Sequence, residues 1–295
     1  MQSLALTLFV LTAPRLLLGQ DAAGTQLWRL AGGTVPVPLA LATGVAGLWN
    51  PAQPESLSVA ALELIQTPAT IGAAGFLGGV RVRVARLGRF GVAYGRIAMR
   101  DLVRTSLSPD PDGAPVQYYT HTARVHWSRG YGRATVGAAL AFHETRLDVS
   151  NRSRMSFDVG ARYQVGSRLL LAAATHFFSH IATSPDQDVF GAAELRLWSG
   201  GLWTGSGPAT VRIRYGISAA NRLGTDHHLG AGIDIGGVLA ADFEAVREAG
   251  YAAAAWRPVA GIQFRVGRYR IVFAGDTGPR QVGAAYRVGL EARLR

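Results

Sequence analysis

Cysteine is absent from the 295-residue chain, so neither a disulfide framework nor a thiolate metal site can form. Lysine is absent too: all 30 basic residues are arginine. No run of 18 consecutive apolar residues occurs in the body of the chain, which excludes transmembrane helices there. Aromatic residues reach only 9 %, while glycine is abundant at 37 residues. There is no P-loop, and no G-x-G-x-x-G leading into a helix, so nucleotide binding has no motif to rest on. The net charge of +11 raises the question of nucleic acid. Nucleic-acid binders gather their charge on a patch or tail, whereas these arginines are spread along the chain at alternate positions inside apolar segments. No nucleic-acid partner and no cofactor is expected.

What the chain has instead is alternation. In "ATVRIRYGIS", residues 209–218, Val211, Ile213, Tyr215 and Ile217 alternate with Arg212, Arg214, Gly216 and Ser218. A period of two puts the apolar set on one face of a strand and the arginines on the other. The same plan runs through "RSRMSFDVGARYQV" from Arg152, "RATVGAALAF" from Arg133 and "VGAAYRVGLEARLR" from Val282. The face opposite the aliphatic one carries Arg, Asp, Glu, Gly and Ser, which cannot build a dry core. The reading is an all-β, transmembrane, antiparallel up-and-down β-barrel, with lipid outside and a polar lumen within. Short glycine-bearing links at 87–90, 130–132, 165–168 and 266–269, set against longer polar ones near 105–117 and 179–188, match the loop asymmetry of such barrels. Counting segments gives about 14 strands between residues 56 and 294. Tyr119, Trp127, Trp198, Trp256 and Tyr269, near segment ends, are candidates for interfacial girdles.

Three regions are expected. Residues 1–20 look like a secretory signal, with an apolar run from Leu4 to Leu11 and small residues near the expected cleavage site. Residues 21–55 are rich in Gly, Ala and Pro, and Pro36, Pro38, Pro51 and Pro54 preclude a long regular element. Residues 56–295 form the barrel.

The small-residue run ending in Asn50-Pro51-Ala52 resembles the N-terminal segment of the FadL/OmpP1 outer-membrane transporter superfamily, in particular its short PorV/PorQ-type members. The resemblance implies a 14-stranded barrel in the bacterial outer membrane, with the N-terminal segment folded inside as a plug or hatch. This chain departs from the fatty-acid transporters of that superfamily in its shorter loops. Independently of the resemblance, Pro51 restricts Asn50 to extended backbone, and the Asn50 side chain can bond nearby backbone in a turn.

Inward positions collect charge. Arg154, Asp158, Arg162, Glu194, Arg212, Arg214, Asp234, Arg265, Arg287 and Glu291 are the candidate lumen-lining residues; Arg81, Arg83, Arg133, Arg257, Arg270, Arg293, Asp242, Glu244 and Asp276 share their phase. A surplus of fixed positive charge would favour anionic solutes. Alternatively, arginines and carboxylates pair across strands and hold the barrel together. His126 and Ser128, two apart on the inward face, raise a membrane-embedded hydrolase as a remote alternative. His227 and His228 point to opposite faces of a strand and cannot easily share a metal. The expected function is non-enzymatic: a passive channel for small hydrophobic or anionic solutes, embedded in outer-membrane lipid. The alternative is a non-transporting docking barrel for a secreted protein.

Overall fold

The computed structural model describes residues 34–44, 46–54, 60–68, 73–99, 102, 116–180, 187–201, 207–221, 224–249, 255–277 and 284–294. The expected signal, residues 1–20, lies outside the described residues, as do residues 21–33 and most of the polar loop near 105–117.

Fourteen strands are present among the described residues: β1 (Ala60–Pro68), β2 (Ala73–Val84), β3 (Gly88–Met99), β4 (Tyr118–Tyr131), β5 (Ala134–Leu147), β6 (Ser150–Val165), β7 (Leu169–Phe178), β8 (Gln187–Gly201), β9 (Pro208–Asn221), β10 (Gly224–Ile235), β11 (Leu239–Glu248), β12 (Ala255–Val266), β13 (Tyr269–Asp276) and β14 (Ala285–Leu294). Each pairs antiparallel with its sequence neighbours, and β1 pairs with β14, which closes the barrel. One end carries tight links such as 132–133 and 267–268, where Gly132 (φ 60°) and Gly267 (φ 57°) take the left-handed backbone that such turns demand. The opposite end carries the wider connections 100–117, 179–186 and 277–284. A register shift between Arg196 and Trp198 marks a bulge on β8.

Two adjacent rows of cross-strand partners show which way the wall faces. Val80, Val92, Val125, Leu140, Phe157 and Phe177 are successive partners across β2 to β7, and all are exposed; Val92 and Val125 each keep 57 % of their surface. One residue along, Arg81, Gly91, His126, Ala139, Asp158, His176 and Asp188 are successive partners across β2 to β8, and all are buried. Large aliphatics outside and ionisable groups inside is the reverse of a water-soluble protein. It is the arrangement stable in a bilayer, where closure also satisfies every backbone ladder.

Residues 34–54 lie against the inward face of this wall. A single turn of 3-10 helix, Leu39–Leu41, follows Pro38, and the rest is irregular. Its apolar side chains Val35, Leu41 and Trp49 pack with Ala172, Ala174 and Phe190 of β7 and β8, with Trp49 edge-on to Phe190 at 5.8 Å.

Candidate functional site

Glycine on the inward face makes room for the N-terminal segment. A Cβ at Gly261 would stand 2.5 Å from Cγ of Pro36, and one at Gly216 would stand 2.5 Å from Cβ of Pro38. At Gly160 it would meet Oδ1 of Asn50 at 2.1 Å, and at Gly137 the carbonyl of Pro51 at 2.3 Å. Glycines on β12, β9, β6 and β5 thus trace a track around the inside of the barrel. Asn50, fully buried, fixes the turn at its end. Its Nδ2 donates to the Ala40 carbonyl (2.7 Å), and its Oδ1 accepts from the Ala52 amide (2.8 Å). Pro51 and Ala52 are buried beside it. The wall reciprocates. Arg162 donates to the Ala42 carbonyl (2.9 Å), His176 to the Trp49 carbonyl (3.1 Å), and Thr34 to Asp276 (3.3 Å).

Beside the segment lies a cavity of about 400 Å³. It gathers eight of the ten candidate lumen residues, Arg162, Glu194, Arg212, Arg214, Asp234, Arg265, Arg287 and Glu291, and adds Arg270, Arg293 and Asp242. Val35, Pro36, Val37 and Leu41 of the segment form part of its lining. The other two candidates lie elsewhere on the inner wall. Arg154 donates to the Ser179 carbonyl (2.9 Å) and stacks on Phe178, while Asp158 is ion-paired with Arg124. Arg83 and Arg133, in phase with the lumen set, are exposed instead, because they fall at the rim of the tight-turn end.

Within the cavity, charge is only partly cancelled. Arg214 bridges two carboxylates, Nε to Glu194 and Nη1 to Asp242, both at 2.6 Å. Arg212 reaches Glu194 only at 4.0 Å. Arg270 is paired with Glu291, and Arg293 stands 4.0 Å from the same carboxylate. Asp234 accepts from the Gly237 amide (3.0 Å). Arg265 faces Arg270 directly across β12 and β13 and has no ion pair among the described residues. Like charges directly opposite repel, so this corner holds a concentrated positive field. With seven arginines against four carboxylates, the cavity as a whole is cationic.

A second polar group fills the β4–β7 side. Thr122 and His143 are 3.2 Å apart, as are His143 and Ser156. Their burial follows the inward phase of Asp158 and Ser156, and alternation alone does not show that they connect. Arg124, His143 and His176 were not singled out in the sequence, and their only signal there was the phase they share with Asp158. His126 and Ser128 are buried, as their phase required, but neither imidazole nitrogen nor the serine hydroxyl has a hydrogen-bond partner among the described residues. A serine hydrolase needs the imidazole bonded to the hydroxyl and oriented by a third group. His227 and His228 do diverge: His227 bonds Tyr215 on the outer face, and His228 bonds Glu244 within. Among the described residues no three His, Asp or Glu side chains converge as metal ligands.

An aliphatic outer surface, a closed ladder and a charged interior decide the setting. The protein is a membrane-spanning β-barrel. No family model and no curated protein matches the chain. Solved structures align with it over most of its length. Omp33 of Acinetobacter baumannii aligns with a TM-score of 0.48 at 8 % identity, over 80 % of this chain and 98 % of its own. CdiB from the same organism gives 0.44 at 12 %, over 80 % of this chain and 60 % of its own, and the KdgM porin 0.41 at 7 %, over 80 % and 99 %. The assignment of the barrel rests on its register and facing.

Proposed function

We propose that this barrel is a passive channel selective for small anionic solutes, with the segment of residues 21–55 acting as an internal plug of the FadL/OmpP1 kind. The observation that carries the reading is the cationic cavity beside the segment, above all Arg265, which has no ion pair among the described residues. Fixed charge at a constriction selects permeant ions by sign. The lining is strongly charged, which favours an anionic over a hydrophobic solute. The test is the reversal potential of the purified protein in planar bilayers under a KCl gradient, for the full chain and for a variant lacking residues 34–54. Anion selectivity, with larger conductance in the deletion, supports the proposal. Cation selectivity, or equal conductance in both, defeats it.

The buried polar groups Thr122, His143 and Ser156 on the β4–β7 side of the interior favour a second reading, a non-conducting barrel that docks a secreted protein. Silence of both proteins in bilayers, with co-purification of an exported partner from the native membrane, would establish it instead.

A further inference from the structure

The lipid-facing wall carries two copies of one arrangement that the lumen does not use. On β3 and β4, Tyr94 Oη and His121 Nδ1 are hydrogen bonded at 2.5 Å, and Arg96 is the direct cross-strand partner of His121. The Arg96 guanidinium lies over the Tyr119 ring, 4.4 Å from its centroid. On β9 to β12, Tyr215 Oη and His227 Nδ1 are hydrogen bonded at 2.8 Å, and Arg247 is the cross-strand partner of His227. Arg247 is in turn the partner of the exposed Trp256. Each copy is therefore an arginine beside a histidine that a tyrosine fixes, with a further aromatic alongside. The two stand on nearly opposite sides of the ring, with β5 to β8 between them one way and β13 to β2 the other.

Both arginines are exposed on the outer face, and neither is ion-paired among the described residues. Both also sit at the edge with the wide connections. Arg247 holds the last outward position of β11, and only Ala98 follows Arg96 on the outer face of β3. Toward the other end the outward residues are apolar: Tyr94, Val92 and Phe90 below Arg96, Ala245 and Phe243 below Arg247. The acidic group facing the first copy is Glu144, across from His121; in the second copy Ile217 takes the corresponding place. Wide connections mark the extracellular end of such barrels, and an aromatic girdle marks the headgroup level. A cation there is favourable when it meets an anionic headgroup and costly when it meets acyl chains.

We propose that these two clusters are binding sites for outer-leaflet lipid headgroups that carry an anionic phosphate monoester, which a zwitterionic phosphodiester headgroup lacks. The guanidinium holds the phosphate, the tyrosine–histidine pair supplies a neighbouring polar edge, and the apolar residues below receive the acyl chains. The experiment is native mass spectrometry of the full chain in detergent. The probes are lipid A, its dephosphorylated form, and phosphatidylethanolamine. Wild type should retain two lipid A molecules, Arg96→Gln and Arg247→Gln one each, and the double variant none at a concentration tenfold higher. Arg133→Gln, which removes an exposed cation from the opposite rim, should still retain two. The proposal is overturned if wild type retains none, if dephosphorylated lipid A or phosphatidylethanolamine binds as well, or if Arg133→Gln loses as much as the other single variants. Far-UV circular dichroism shows that each variant remains a folded barrel.

Discussion

Gly160 and Asn50 are matched to within a methyl group: a Cβ on the one would sit 2.1 Å from the amide oxygen of the other. Neither partner has room to give, because Asn50 is fully buried and bonded to Ala40 and Ala52. Gly160→Ala should therefore push the segment off its seat at an overpacking cost of about 1–3 kcal/mol. The measurement is limited proteolysis paired with bilayer conductance. Cleavage within 34–54 should quicken and conductance should rise; an unchanged protease pattern would mean that the fit is not what retains the segment.

Asn50→Ala tests the same seat by subtraction. It strips one partner from the Ala40 carbonyl and another from the Ala52 amide, both buried. The Ala40 carbonyl keeps Arg162 as a donor, and the Ala52 amide, left without Asn50, loses about 1–3 kcal/mol. Hydrogen exchange at the Ala52 amide should accelerate by roughly tenfold or more, since each ~1.4 kcal/mol is a factor of ten. The strand ladders of β5 and β6 should exchange as before, so the effect is local to the segment.

Arg265→Glu reverses the sign of a cavity cation that forms no ion pair among the described residues and faces Arg270 across the strands. The reversal potential should move from the anion side toward the cation side. Because the screening length falls from about 8 Å at physiological ionic strength to about 3 Å at 1 M, the difference between the two proteins should shrink in concentrated salt. A difference that persists undiminished would point to a changed pore shape rather than a changed field.

Arg214→Met leaves Glu194 and Asp242 facing each other without the guanidinium that joins them at 2.6 Å on either side. Breaking a buried ion pair from one side costs about 3–5 kcal/mol, but both carboxylates touch the cavity, so water should hold the loss near the lower end. Thermal unfolding in detergent should show a lower midpoint. Adding Glu194→Gln and Asp242→Asn to the same chain should restore most of it.

The wall was legible because its pattern is local. Period-two alternation needs only neighbours, and it located all fourteen strands and put Arg212, Arg214, Arg287 and Glu291 on the inner face. The bulge at Arg196 and Trp198 was invisible, since it depends on how β8 meets β9. Glycines 137, 160 and 216 could be placed inward, but nothing in the alternation says that a proline or an asparagine from residues 36–51 presses on them. The histidines escaped for the same reason. His143 and His176 acquire their meaning from Ser156 on β6 and from the Trp49 carbonyl. Such pairings are set by the curvature of a closed sheet, and spacing along the chain does not report curvature.

The hydrogen bonds between Ala60–Pro68 and Ala285–Leu294 have a consequence for how the molecule is made. The two seam strands are separated by nearly the whole length of the chain, so the seam can be sewn only after all twelve intervening strands exist. Until then two raw margins lie open, each a template for a foreign strand. A product cut short before the final strand keeps those margins permanently and should cluster rather than insert. The terminal strand therefore acts as a clasp whose arrival seals residues 34–54 inside.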